Sequence, residues 1–369
     1  MVAQTAGHQR DSDFPVVVFR MPQVRDGAPQ LESEVRALAC RTADAFAVVD
    51  PYAAAADRAE QLHAAAAVAQ ALHRVLSTQD TPIDAEASPV GSASQPYFRV
   101  RTADLTDEQA LWQGAGVLAR AAADLAYAPV AASDLALEAR GMRFAILDLV
   151  GAPAVDRPAP VPAACDSDLR VDADLERTWA RRWLIGHHVR FLFEACAAAA
   201  LTDSAHYLRQ GCTVHAVGRI HAAIVFVQAF PAAVAHACAM PAEHYLAAVR
   251  PGMAPPALPQ PLSGRMHRTY TCYRQAMRTL LTCLPEPHAE LSERAFELAQ
   301  ARNALLHADL IDAERHIAVA YLMLATRRSL AQSPGSLTNA VTELRRICQR
   351  RIARYAPLLD TYRPSSRKA

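Results

Sequence analysis

The sequence predicts an all-α fold, and three observations carry that reading. Apolar residues recur at helical spacing over most of the chain, and alternating stretches are few. The 369 residues are 52% hydrophobic and 20% charged, a balance that builds a core and excludes disorder. Prolines and glycines gather in a few segments, above all 151–165 and 250–264, and leave long uninterrupted periodic stretches between them.

Taken in order, Phe14–Phe19 (FPVVVF) reads as a short, isolated strand. Asp50-Pro51 opens a helix over Tyr52–Leu76 with Leu62, Val68, Leu72 and Val75 on its apolar positions. Tyr97–Arg101 reads as a second short strand or an extended arm, and Thr106 is placed to cap the next helix. The Pro-rich segment then divides the chain into an N-terminal helical part, 1–150, a linker, 151–170, and a larger helical part, 171–369. Helices are expected over 171–201, 203–238, 265–283 and 289–330, the last broken near His307, with an Arg-rich helix over 336–357. Five prolines and two glycines in 250–264 forbid regular structure there, and a long loop inside a helical domain often lines a pocket.

Charge and cysteine usage narrow the function. Thirty-eight basic against thirty-seven acidic residues leave no nucleic-acid or anionic-membrane footprint. Eight scattered cysteines without a CxxC pair argue against a zinc ribbon or a disulfide scaffold, and the N-terminus has no apolar signal core. A cytoplasmic location is expected. The apolar run His221–Met240 is interrupted by Gln228, Pro231 and His236, so it reads as a buried helix and no membrane association is expected. Its apolar helices can bury against each other or against a second copy in a homodimer.

Fourteen histidines are the main chemical signal. His316 shares a helix face with Val319, Ala320 and Met323, so an imidazole sits on an oily stripe. One use is ligation of heme iron, with the stripe packing the macrocycle; the plainer one is a core histidine bonded to a backbone carbonyl. HExxH, G-x-S-x-G, GxGxxG and Walker-type loops are absent. Glu60-x-x-His63 is a lone match to the di-iron bundle pattern. His187-His188 lie about 100° apart on a helix, so at most one faces a given pocket and the other suits solvent. Arg345, Arg346, Arg350, Arg351 and Arg354 read as a solvated face.

The order of features after 171 resembles the histidine-ligated heme dioxygenases, which include the indoleamine and tryptophan 2,3-dioxygenases. The likeness lies in the loop Val249–Gly264, the step Pro285-Glu286-Pro287-His288, and Arg315-His316-Ile317-Ala318-Val319-Ala320-Tyr321. The segment Trp179–His188 is more similar to bacterial heme-dependent L-tyrosine 3-hydroxylases, which serve antibiotic pathways. The resemblance implies an indoleamine 2,3-dioxygenase-like bundle whose smaller, mostly helical N-terminal part covers the distal pocket, with His316 as the proximal iron ligand. It implies a distal histidine in the N-terminal half, for which His73 is the candidate. An aromatic amino-acid substrate, L-tyrosine or a methylated tyrosine, would be hydroxylated with hydrogen peroxide or dioxygen. Ser263, Gly264, Arg265 and Arg268 would receive its carboxylate, and His188 its phenol. Some relatives tether heme through His-x-x-x-Cys; Ala320 stands at that place here, which implies non-covalent heme b. Indole-ring cleavage, a di-iron oxidase and a non-catalytic heme carrier are the alternatives.

Overall fold

The structure, a computed structural model, describes residues 14–25, 27–77, 97–152, 175–258, 261–262, 267–328, 330 and 338–359. The fold is all-α, as expected. In the N-terminal half, α1 (Ser33–Ala47), α2 (Ala55–Ser77), α3 (Asp107–Leu125) and α4 (Ala132–Leu149) pack together. In the C-terminal half, α5 (Leu175–Arg209) and α6 (Thr213–Ala237) form the longest antiparallel pair. They are followed by α7 (Arg268–Cys283), α8 (His288–Arg294), α9 (Phe296–Leu324) and α10 (Ala340–Tyr355).

Several expectations are met at the level of single residues. Thr106 caps α3: its hydroxyl accepts from the Gln109 amide, and the Gln109 side chain accepts from the Thr106 amide, a reciprocal capping box. The apolar run ending at Met240 is α6 and its C-terminal turn, with Phe226, Phe230 and Ala233 fully buried. By length and composition α5 and α6 are apolar enough to cross a membrane, yet 78% and 67% of their apolar windows are buried inside the protein. Their hydrophobicity serves the core.

Other expectations are corrected. The first strand is not isolated: β1 (Val17–Arg20) pairs in parallel with β2 (Val100–Ala103), Val17 opposite Val100, so two distant segments satisfy each other's backbone. The turn between α5 and α6 falls at 210–212, where Gly211 takes φ +74°, so α5 runs on through Thr202 instead of ending before it. The break before α9 lies at Ala295 (φ −153°, ψ 79°), while His307 is an exposed residue of an unbroken helix. The segment 250–264 is not wholly irregular, since a π turn over Tyr245–Val249 runs into a 3₁₀ turn over Arg250–Met253. On α10, Arg345, Arg346, Arg350 and Arg354 face solvent, but Arg351 turns inward to Asp309 and Tyr270.

One buried apolar cluster runs through both halves, from Phe14 and Val17 to Met323 and Tyr355. α3 lies against α5, α4 against α6, and α7 against α5, so α5 is bordered on both sides. Gly186 makes one of these contacts close. A Cβ there would lie 2.5 Å from the Ala237 amide nitrogen, so α5 touches the end of α6 backbone to backbone just before His187.

Candidate active site

α5 presents two adjacent histidines to the interior, which corrects the expectation that one of them faces solvent. His188 is 1% exposed; its Nε2–H donates to the Phe98 carbonyl (2.6 Å), and its Nδ1 is buried without a partner. Burial lowers its pKa to about 3, so the ring is neutral and the orphaned Nδ1 carries a lone pair. His187 is half-buried, bonded through Nδ1 to the Trp183 carbonyl (2.7 Å), with rings of Trp183 at 4.2 Å and Phe98 at 4.6 Å. Burial holds its pKa near 4.

His267, the N-cap residue of α7, completes this group. It is 1% exposed, and its ring stacks flat on Phe191 of α5 at 3.5 Å. Its Nδ1 lies 2.8 Å from the Thr269 hydroxyl, which donates to Glu194 Oε2 at 2.7 Å. With Glu194 ionised, the Thr269 oxygen accepts from His267 Nδ1–H, and the Nε2 lone pair is bare and buried without a partner. Burial pushes the Glu194 pKa up against the pull of Arg190, and protonation of Glu194 reverses the donors along the chain. Burial keeps His267 neutral, with a pKa of about 3.

The same Glu194 connects to α9. Arg190 donates to Glu194 Oε1 (3.0 Å) and, as a fork, to Asp312 (2.8 and 3.2 Å), one helical turn before His316. The expected stripe is present, with Ala320 and Met323 buried, but His316 itself is exposed and not buried as its apolar neighbours suggest. Protein nonetheless crowds the ring enough that burial lowers its pKa, with Asp312 pulling the other way. Its charge would be felt by His187 across the space between α5 and α9. The ring is thus reached by solvent and kept neutral by the protein beside it. Beyond it Tyr321 and Leu322 stay 62% and 72% exposed, an unusual amount of uncovered apolar surface for the end of a core helix.

These donors fit heme. Its iron needs one or two imidazoles and its macrocycle needs apolar and aromatic walls. His316, the bare Nε2 of His267, and the rings of His187, Phe191 and Phe98 supply both. A protein-only metal site fits less well: among the described residues no three His, Cys, Asp or Glu side chains converge. His63, from the lone Glu-x-x-His match, instead lies against Tyr127 at 5.2 Å.

The remaining expected residues are placed as follows. His73 on α2 is half-buried, stacked on Trp112 at 5.4 Å, and bonded through Nδ1 to the Trp112 carbonyl (2.9 Å). Its charged neighbour is Arg120, and no interaction joins it to His316. Arg268 opens α7 and is exposed. Ser263, Gly264 and Arg265 lie outside the described residues. Sequence reasoning passed over His267, Thr269, Glu194 and Arg190. His267 stood inside the loop-to-helix junction already singled out, but its inward aim depends on Phe191 and Glu194, some 75 residues earlier. A cavity of about 280 Å³ bordered by β1, α3 and α5 is lined by Arg20, Arg25, Gln113 and Cys196 and holds none of these histidines.

A family model described as SfmD 3-methyl-L-tyrosine peroxygenase matches residues 10–309, which takes in His73, His187, His188 and His267 and stops seven residues short of His316. A solved structure, described as reduced SfmD soaked with sodium hydrosulfite, is 20% identical, covers 82% of this chain and 97% of that chain, and has a TM-score of 0.47. No curated protein matches the chain. With the match extending over most of its length, the chain belongs to the SfmD 3-methyl-L-tyrosine peroxygenase family.

Proposed function

We propose that this chain holds heme b non-covalently through His316 and uses peroxide to hydroxylate the open ring carbon beside the phenol of L-tyrosine or 3-methyl-L-tyrosine. Membership in the family gives the outline: a heme-dependent oxidoreductase that makes a catechol from a tyrosine-type amino acid in natural-product biosynthesis. The observation that carries the reading is His316, a solvent-reachable imidazole of α9 whose charge would be felt by His187 in the aromatic cluster built by α5 and α7. The likeness to the indoleamine dioxygenases, a homodimer and a cytoplasmic location belong to the same reading. Seven described cysteines, all free thiols, support a reducing compartment.

Bound heme supplies the redox chemistry of peroxide; atoms balance as one peroxide oxygen enters the ring and the other leaves as water. The protein's share is binding and proton handling. His267 Nε2 is a bare acceptor whose direction is fixed by Thr269 and Glu194, which suits it to take or return a proton at the oxidant. His188 Nδ1, buried and unsatisfied, is the group best placed to accept a phenol O–H. His73 keeps Nε2 as its acceptor, since Nδ1–H is spent on the Trp112 carbonyl, and remains the candidate distal histidine of the N-terminal half. Arg268 and the 263–265 segment remain the loop candidates for substrate contact.

The test is a product assay with hemin-loaded protein, hydrogen peroxide, and L-tyrosine, 3-methyl-L-tyrosine or L-tryptophan. A catechol carrying one added oxygen from either tyrosine supports the reading. N-formylkynurenine from tryptophan, or no turnover of any of the three, contradicts it.

A further inference from the structure

Arg120 on α3 carries a charge that nothing in the described structure neutralises. Its guanidinium is half-buried, crowded by protein, and without a hydrogen-bond or carboxylate partner among the described residues. The acids nearest in sequence are spoken for: Asp124, one turn later, binds Arg182 and His236. Its polar surroundings are two neutral imidazoles, His73 and His188, whose protonation its charge opposes. A desolvated, unpaired cation is costly in a fold, and most buried charges are matched.

Local geometry makes room for the arginine. Gly116 lies one turn before it on α3, and a Cβ there would sit 2.8 Å from the His73 ring and 3.4 Å from Arg120 Nη1. The missing side chain lets the imidazole and the guanidinium draw in against the same patch of helix. His73 is pinned there by its stack on Trp112 and its bond to the Trp112 carbonyl. On the α5 side, His188 Nδ1 is buried with no partner. An unpaired planar fork is a receptor for a planar anion.

We infer that Arg120, seated on Gly116 beside His73, is the receptor for a carboxylate brought by a ligand of this site. This rests on the proposed function for the ligand's identity. The same chemistry is offered by the α-carboxylate of the amino-acid substrate and by a heme propionate. The neutral state of both histidines leaves the charge at this place to Arg120.

The experiment compares wild type with Arg120→Met, which keeps length and removes the fork, and with Arg120→Lys. Two affinity ratios are read by absorbance titration: L-tyrosine over tyramine, and hemin over hemin dimethyl ester. Loss of the first ratio in Arg120→Met, by roughly tenfold or more, assigns the site to the substrate carboxylate. An equal loss of the second assigns it to a propionate. Arg120→Lys recovers part of whichever ratio falls. Both ratios unchanged overturns the inference. If wild-type protein takes up no hemin, the functional reading fails separately, and the melting temperature of the hemin-free protein decides Arg120. That temperature rises in Arg120→Met when the cation awaits a ligand, and falls when a protein group already holds it.

Discussion

Thr269 is the smallest part of the site with the largest consequence. Its hydroxyl alone joins His267 to Glu194, and replacing it with valine leaves both buried groups short of a partner. Thr269→Val is expected to cost about 1–3 kcal/mol of stability and to shift the pH profile of peroxide-dependent turnover, with Thr269→Ser restoring both. Calorimetry and a pH–rate series check it. An unchanged pH profile with lower stability would leave Thr269 a purely structural residue. His236 gives a different residue-scale prediction. Burial alone would lower its pKa, but Glu138 and Asp124, each at 2.8 Å, outweigh it and raise the value to about 9. A histidine raised above its ordinary 6.5 stabilises the fold fully below that pH, and the stabilisation is lost as pH climbs through the folded value. Thermal stability is therefore expected to decline between pH 6.5 and 9. His236→Gln should flatten that limb and cost about 3–5 kcal/mol near neutral pH, because the buried Glu138 loses its cation while Asp124 keeps only Arg182.

At the scale of elements, the contact of α5 with the end of α6 sets where His187 and His188 stand. Gly186→Ala puts a methyl group 2.6 Å from Ala237 Cα, and backbone cannot give way as a side-chain tip does. The expected cost is about 1–3 kcal/mol, together with an altered hemin spectrum, since the displaced segment carries the histidines; thermal melts and absorbance spectra read both. Elements were also where the sequence was most and least legible. Long periodic segments announced α2, α5, α6 and α7, because burying one face of a helix imposes its period on the residues. The Thr106 cap was legible because it is a local hydrogen-bond pattern. The pairing of β1 with β2 was not, since its partners are more than 80 residues apart and each strand is only four residues long. The break at Ala295 has neither proline nor glycine to mark it, and Phe296, just after it, is 63% exposed.

At the scale of the whole molecule, the two halves share one apolar core, and the site lies where helices from the C-terminal half meet Phe98 and α3 from the N-terminal half. The oily stripe beside His316 was legible from residues 313–323 alone, because helical spacing puts Val319, Ala320 and Met323 on its face, whereas the exposure of the ring was not. The relay from His267 through Thr269, Glu194 and Arg190 to Asp312 spans three helices, and no local pattern encodes it. A ligand that binds only the folded chain must stabilise it in proportion to its saturation. Hemin is therefore expected to raise the melting temperature of the wild-type protein and to leave that of His316→Ala nearly unchanged.

Ligation of heme by His316 is tested most directly by an absorbance titration of hemin-free wild-type protein and of His316→Ala with hemin. Heme held by His316 should give a sharp, saturable Soret band in the wild type that moves when L-tyrosine is added, and a weak or shifted band in the variant. A wild-type protein that develops no Soret band, or a variant whose band matches the wild type in position and affinity, would contradict it.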